Sequence, residues 1–202
     1  MFLCTTCGLL RGESVFKADL SDLFGLEFKP TRRDPTNLFI LVFQIAAGKI
    51  NPNYKIFGRM ARNFDVDVCP IGALAFYLHY RFHHTQEMDD PLRPIDWGDN
   101  STWFHIKLLN DFSSARGNQK CIQDSTYGNA IKKICKEKHI PTKHYVHIGR
   151  VLGAMECELN EDDCNQISQL GNWSLTTQES RYSTKMPLAI IRSKARMNHN
   201  LN

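Results

Sequence analysis

The sequence predicts an α+β domain in which helices dominate over a small antiparallel sheet. Three observations lead there. The chain has 202 residues, enough for one well-buried domain and too few for two comfortable ones. Its composition, 42% hydrophobic and 23% charged, is that of a globular protein, with neither low-complexity segments nor internal repeats. The order of apolar patterns along the chain is helix, a short sheet region, then mostly helices.

Taken in order, the first dozen residues are apolar and suit a helix; "KADLSDLFGLEFKP" follows, punctuated by Gly25 and Pro30. Residues 37–47 and 54–60 suit two strands joined around "GKINPN". The longest apolar run, "LFILVFQIAA" at 38–47, is too short to span a bilayer and reads as a buried strand, so the chain is not expected to enter a membrane. "PIGALAFYLHYRFHH" (70–84) opens with Pro at the first helical position and is apolar on most faces, which predicts a largely buried helix. Residues 85–122 contain Pro91, Pro94, Gly98 and Gly117 and read as loops relieved by the apolar "WFHIKLL". Helices are expected near 124–138, 146–157, 161–170 and 176–183, with Asn160 and Asp163 at capping-box spacing, before a basic tail over 184–202.

The N-terminus lacks the basic region and small-residue cleavage site of a secretory signal, so the seven cysteines are expected to stay reduced inside the cell. "CTTC" at 4–7 has zinc-like spacing, but no second such pair follows; Cys157 and Cys164 are seven apart and "HH" at 83–84 sits on another element. Buried free thiols, and no metal site, are the expectation. A net charge of +4 permits nucleic-acid binding without arguing for it. The basic clusters "KPTRRD" (29–34), "YKIFGRMAR" (54–62), "KKICKEKHIPTKH" (132–144) and "RSKARMNHN" (192–200), interleaved with aromatics, are better explained together by a groove.

Four short stretches carry candidate chemistry. "LLRGES" puts Arg11 at the close of the first apolar helix, as a cap on its carbonyls or as an anion ligand. "HIGR" puts His147 and Arg150 at i, i+3, leaving one face of a helix. "GNW" places Trp173 after a Gly turn, and "LTTQESRY" ends a short helical stretch on Tyr182.

On these residues the chain resembles the catalytic domain of tyrosine recombinases. That family's pattern is a first Arg, a Lys in a β-hairpin, His-x-x-Arg, a His or Trp after a Gly, and a nucleophilic Tyr; Arg11, Lys49, His147, Arg150, Trp173 and Tyr182 stand in that order over nearly the whole chain. More narrowly, "LLRGES", "CPIGALAFYLHYRFH", "HIGR" and "GNW" are similar to the recombinase-like domain of fungal centromere DNA-binding factors and Crypton mobile elements, a group that includes DNA binders that do not recombine. The resemblance implies a mainly helical recombinase-like fold, a nuclear protein and duplex DNA as partner, and leaves homo-oligomerisation open. It also implies roles. Arg11 and Arg150 would clamp the non-bridging oxygens of a phosphodiester with paired guanidinium forks. His147 would assist at the phosphate, Lys49 would protonate the leaving oxygen, Trp173 would buttress the site and Tyr182 would attack, with neither metal nor ATP as cofactor. Lys55, across the same turn as Lys49, could reach inward instead.

Two departures bear on activity. Ser14 stands where the family usually has an acidic residue, with Glu13 beside it, and Arg11 is so near the start that the N-terminal DNA-clamping domain is expected to be absent from a single domain over 1–202. The reading is therefore a DNA-binding module that grips the backbone through Arg11, Lys49, Lys55 and Arg150. An active recombinase with a phosphotyrosine intermediate, and an intracellular domain unrelated to nucleic acid, are the alternatives.

Overall fold

The first apolar segment does not make one long helix. Helix α1 (Phe2–Cys7) stops at Gly8, and Leu9 takes a left-handed conformation, φ 47°, before α2 (Gly12–Lys17) begins. A left-handed leucine costs about 1–2 kcal/mol. Leu9 is only 1% exposed, so burying its side chain offsets that cost. The break turns the chain so that Arg11 opens α2 rather than closing α1. The structure is a computed structural model that describes residues 1–30, 32, 35, 37–45, 56–84, 95–110, 121–181 and 183. Lys49, Lys55, Tyr182 and the tail 184–202 lie outside the described residues.

Three antiparallel strands follow in the order β1 (Leu23–Phe28), β2 (Leu38–Ile45) and β3 (Ile56–Ala61). The two strands expected from the sequence are β2 and β3; β1 is an addition, formed on the segment read only as punctuated chain. Its register sets Leu23 opposite Phe43, and β2 sets Leu41 opposite Met60. Because directly opposed residues share a face, Leu23, Leu41, Phe43 and Met60 point the same way. That face meets Leu10, Leu74, Ile106 and Leu108 in the larger core.

Helix α3 (Pro70–His84) has the expected bounds, and the Cys69 thiol caps it by accepting the Gly72 N–H at 3.3 Å. It is less buried than its composition suggests: Leu74 and Arg81 are inside, while Phe76 is 70% and Tyr80 56% exposed. Arg81, fully buried, donates to the carbonyls of Lys107 and Leu108, and the Tyr77 hydroxyl accepts the Asn110 N–H at 3.0 Å. These bonds pin the apolar segment after α4 (Asn100–Trp103) against the core. There it also pairs with the chain leaving α2: Leu108 N–H donates to Ala18 O, Leu20 N–H donates to Ile106 O, and Lys107 meets Asp19 at 2.6 Å.

The second half is helical: α5 (Asp124–Glu137), α6 (Ile148–Leu159), α7 (Cys164–Gly171) and α8 (Leu175–Arg181). Tyr127, Ile131 and Cys135 of α5 form a smaller core with Phe16 and Ile148. The capping reading is corrected in detail: Asp163 caps α7 by accepting the Gln166 N–H at 3.1 Å, while Asn160 ends α6. An aspartate already extended at φ −65° and ψ 128° can reach the first free N–H groups; Asn160, still in a helical conformation, cannot. Helix α6 lies directly on α1. A Cβ on Gly149 would stand 2.2 Å from Thr5 Oγ1, and one on Gly153 2.1 Å from the Thr6 carbonyl, so only glycines allow this approach.

Candidate nucleic-acid interface

Arg11 is the residue before α2, extended at φ −70° and ψ 138°, and its side chain is exposed. The next residue, Gly12, is buried, and a Cβ added to it would lie 3.4 Å from Val146 Cγ1. Val146 is followed by His147, which is also exposed and stands just ahead of α6 with its carbonyl accepting the Val151 N–H. The Gly12–Val146 contact therefore brings Arg11 and His147, distant in sequence, onto neighbouring turns of chain.

His147 and Arg150 do not leave α6 as an exposed pair. His147 precedes the helix and faces solvent; Arg150, in its first turn, is 3% exposed. The Arg150 guanidinium donates to the Gly171 carbonyl, and its central carbon lies 4.4 Å from the centre of the Trp173 ring. Arg150 and Trp173 are thus brought together.

The "GNW" turn is built for that contact. Asn172 takes the left-handed conformation, φ 52° and ψ 50°, that ends α7, and the Trp173 N–H donates back to the Ser168 carbonyl at 2.9 Å. The chain reverses, and the indole folds back over Gly171, where a Cβ would stand 2.6 Å from the ring. Asn172 Nδ2 donates to the Phe57 carbonyl at 3.4 Å, which ties the turn to β3. Beyond it, Ser168 Oγ donates to Gln178 Oε1 at 2.8 Å in a buried contact that fixes α8 on α7. Helix α8 ends at Arg181, one residue before Tyr182.

Helix α5, which packs on α2, and the chain that leads from it to His147 carry exposed basic residues. Lys132, Lys133 and Lys136 are exposed on α5, and Lys138, His139, Lys143 and His144 are exposed on the chain that leads from α5 to His147. The apolar side of α5 is spent on Phe16 and Ile148, which leaves the lysines facing water. Sequence reasoning gave no role to Asn172, Ser168 or Gln178, although an Asn directly after a helical Gly is a readable left-handed cap. The thiols of "CTTC" behave as buried groups: burial pushes Cys4 up, and burial followed by nearby Glu156 pushes Cys7 up to about 11. Among the described residues no cluster of His, Cys, Asp and Glu is placed to hold a metal ion, and no helix is long and apolar enough to cross a membrane.

No curated protein matches the chain. Residues 1–201 match the family described as "Centromere DNA-binding protein complex CBF3 subunit, domain 2". That match runs over almost the full length and takes in the α1–α2 break, the α6 start and the "GNW" turn alike, so the chain belongs to the family of the second domain of the centromere DNA-binding CBF3 subunit.

Proposed function

We propose that the chain is a DNA-binding module with a tyrosine-recombinase-like fold, a single domain that grips duplex backbone through the cationic surface around Arg11 and His147. The family description supports DNA as the ligand, a nuclear location and work within a protein complex. The observation that carries the reading is the closeness of Gly12 to Val146, which puts exposed Arg11 and exposed His147 on neighbouring turns of chain, with buried Arg150 one helical turn on. Exposed lysines on α5 and on the chain from α5 to His147 would add to that charge. Such a surface suits phosphates, whose contacts fix position on the duplex without reading bases.

Within this reading Arg11 is the direct backbone contact. Arg150 acts from beneath: it holds the Trp173 turn and adds its charge to the positive end of the α6 dipole. Lys49 or Lys55 from the β2–β3 connection joins Arg11 at the backbone, and Tyr182, a residue past α8, is carried by the recombinase-like pattern. The test is duplex binding followed by fluorescence anisotropy across salt. Affinity should fall steeply and linearly in log–log terms between about 50 and 200 mM salt, and Arg11→Ala should weaken all sequences alike while lowering the slope by about 1. An affinity indifferent to salt would refute the reading.

A further inference from the structure

The thiols of "CTTC" meet a third one where α1 runs against the start of α3. Cys7 ends α1, and its thiol donates to the Val68 carbonyl at 3.9 Å. The residue bonded to that carbonyl is Cys69. A carbonyl oxygen sits about 2.8 Å from the next Cα, so Cys69 Cα stands within about 7 Å of Cys7 Sγ. Disulfide-bonded cysteines have Cα atoms about 4.4–6.8 Å apart, and turning the Cys69 side chain toward Cys7 leaves little movement to bring the two sulfurs together. Cys69 is also among the groups that push the Cys7 thiol up, after burial, Glu156 and Cys4. Cys4 belongs to the larger core at 3% exposure, which leaves half-buried Cys7 as the partner.

The surroundings of the two sulfurs differ. Cys69 stands just ahead of α3, where its Sγ accepts the Gly72 N–H at 3.3 Å and the start of a 15-residue helix favours a negative sulfur. Burial works against that charge, but the N–H groups of Gly72, Asn63 and Ile71, with Arg62 nearby, outweigh it and hold the thiol below its usual range. Cys69 is 4% exposed, yet the chain folded over it is itself at the surface, with Phe64 99% and Val66 65% exposed, so a molecule as small as hydrogen peroxide need displace little to reach it. We infer that Cys69 and Cys7 form a peroxide-oxidised thiol pair, in which Cys69 takes the oxygen and Cys7 closes a disulfide that ties the end of α1 to the start of α3. The Cys69 thiolate attacks hydrogen peroxide; an S–O bond forms as the O–O bond breaks, and the leaving hydroxide takes up a proton. The Cys7 sulfur then attacks the sulfenic sulfur; an S–S bond forms as the S–O bond breaks, and the Cys7 proton leaves with the hydroxide as water. Two electrons pass from the two sulfurs to the peroxide, which ends as two waters. The inference uses none of the residues of the DNA-binding reading.

The test treats the full chain with hydrogen peroxide near neutral pH, blocks the remaining thiols under denaturing conditions and maps disulfides by peptide mass spectrometry without reduction. A Cys7–Cys69 link within one chain is expected, reversed by dithiothreitol, with fragmentation between Cys4 and Cys7 fixing which thiol is joined. In Cys7→Ser the Cys69 sulfenic acid should persist, and dimedone should label Cys69 at least about threefold more than exposed Cys164. Mapping the wild type needs no substitution and keeps the test valid if Cys7→Ser folds poorly. Three results would overturn the inference: oxidation confined to Cys164 while Cys69 keeps its thiol, a Cys4–Cys7 link in place of the Cys7–Cys69 one, or a disulfide between two chains.

Discussion

A guanidinium taken out of water needs its donors and its charge met locally, and the turn after α7 meets part of that need at Arg150. The Gly171 carbonyl accepts one N–H, and the Trp173 ring faces the cation at 4.4 Å. A lysine could supply the charge but neither the planar stack nor the fork. Gly171 is the hinge of the arrangement, because a Cβ there would lie 2.6 Å from Trp173 Cδ2. Gly171→Ala should therefore displace the indole and cost about 1–3 kcal/mol by overpacking. Urea melts would read the loss and tryptophan emission would read the displaced ring. The thiols make a second case in which environment overrides residue type. Burial pushes Cys7 and Cys157 up to about 11, with Glu156 adding at Cys7 and Asp162 at Cys157. At pH 8 only about one in a thousand of such groups is thiolate, the reactive form. Iodoacetamide should mark exposed Cys164 well before Cys7 or Cys157, as peptide mass spectrometry would show.

Helix contacts decide how the candidate interface is assembled, and a close one is α1 on α6. Replacing a helix-interior glycine with alanine usually stabilises by about 0.5–1 kcal/mol. At Gly153 the new Cβ would lie 2.1 Å from a backbone carbonyl, which has no rotamer to yield. Overpacking at about 1–3 kcal/mol outweighs the propensity gain, so Gly153→Ala should lower the melting temperature, by calorimetry, where a surface glycine would raise it. Such contacts also explain what the sequence could and could not tell. Helix α3 was legible because Pro70 and the apolar run state its start and length locally, and β2 with β3 because a long apolar run and turn residues stand side by side in the sequence. Strand β1 was not, since Gly25 and Glu27 break its pattern and pairing with β2 is what extends it. The α1–α2 break escaped notice for a similar reason: a left-handed Leu9 carries no turn signature and is held by burial at 1% exposure. At the candidate interface "HIGR" and "GNW" were visible as motifs. That Arg150 would turn inward, toward the Gly171 carbonyl rather than out beside His147, depends on the α6–α7 packing and has no local signature.

For the molecule as a whole, the arrangement of Arg11 and Arg150 bears on whether binding would lead to chemistry. Attack on a phosphodiester builds charge on the non-bridging oxygens, and donors aimed there in advance supply the largest share of the rate. Arg11 faces solvent, but Arg150 is 3% exposed with part of its fork committed to Gly171. A phosphate seated on Arg11 would meet the second fork only if the Trp173 turn opened, which breaks the cation–ring contact and the ties of Asn172 to β3. A site that must reorganise loses the advantage of pre-set donors, and displacement of reacting groups by about 1 Å can cost on the order of 100-fold in rate. This chain alone should therefore bind a duplex and form at most a trace of covalent adduct. A suicide duplex, nicked near the point of cleavage, traps any protein–DNA linkage as a slow band on a denaturing gel. Faint or absent bands for both the wild type and Tyr182→Phe, with duplex affinity equal in the two, are the expected outcome. A strong wild-type band that vanishes in Tyr182→Phe would mean that the turn over Arg150 opens on DNA and would make the active strand-transferase the better reading.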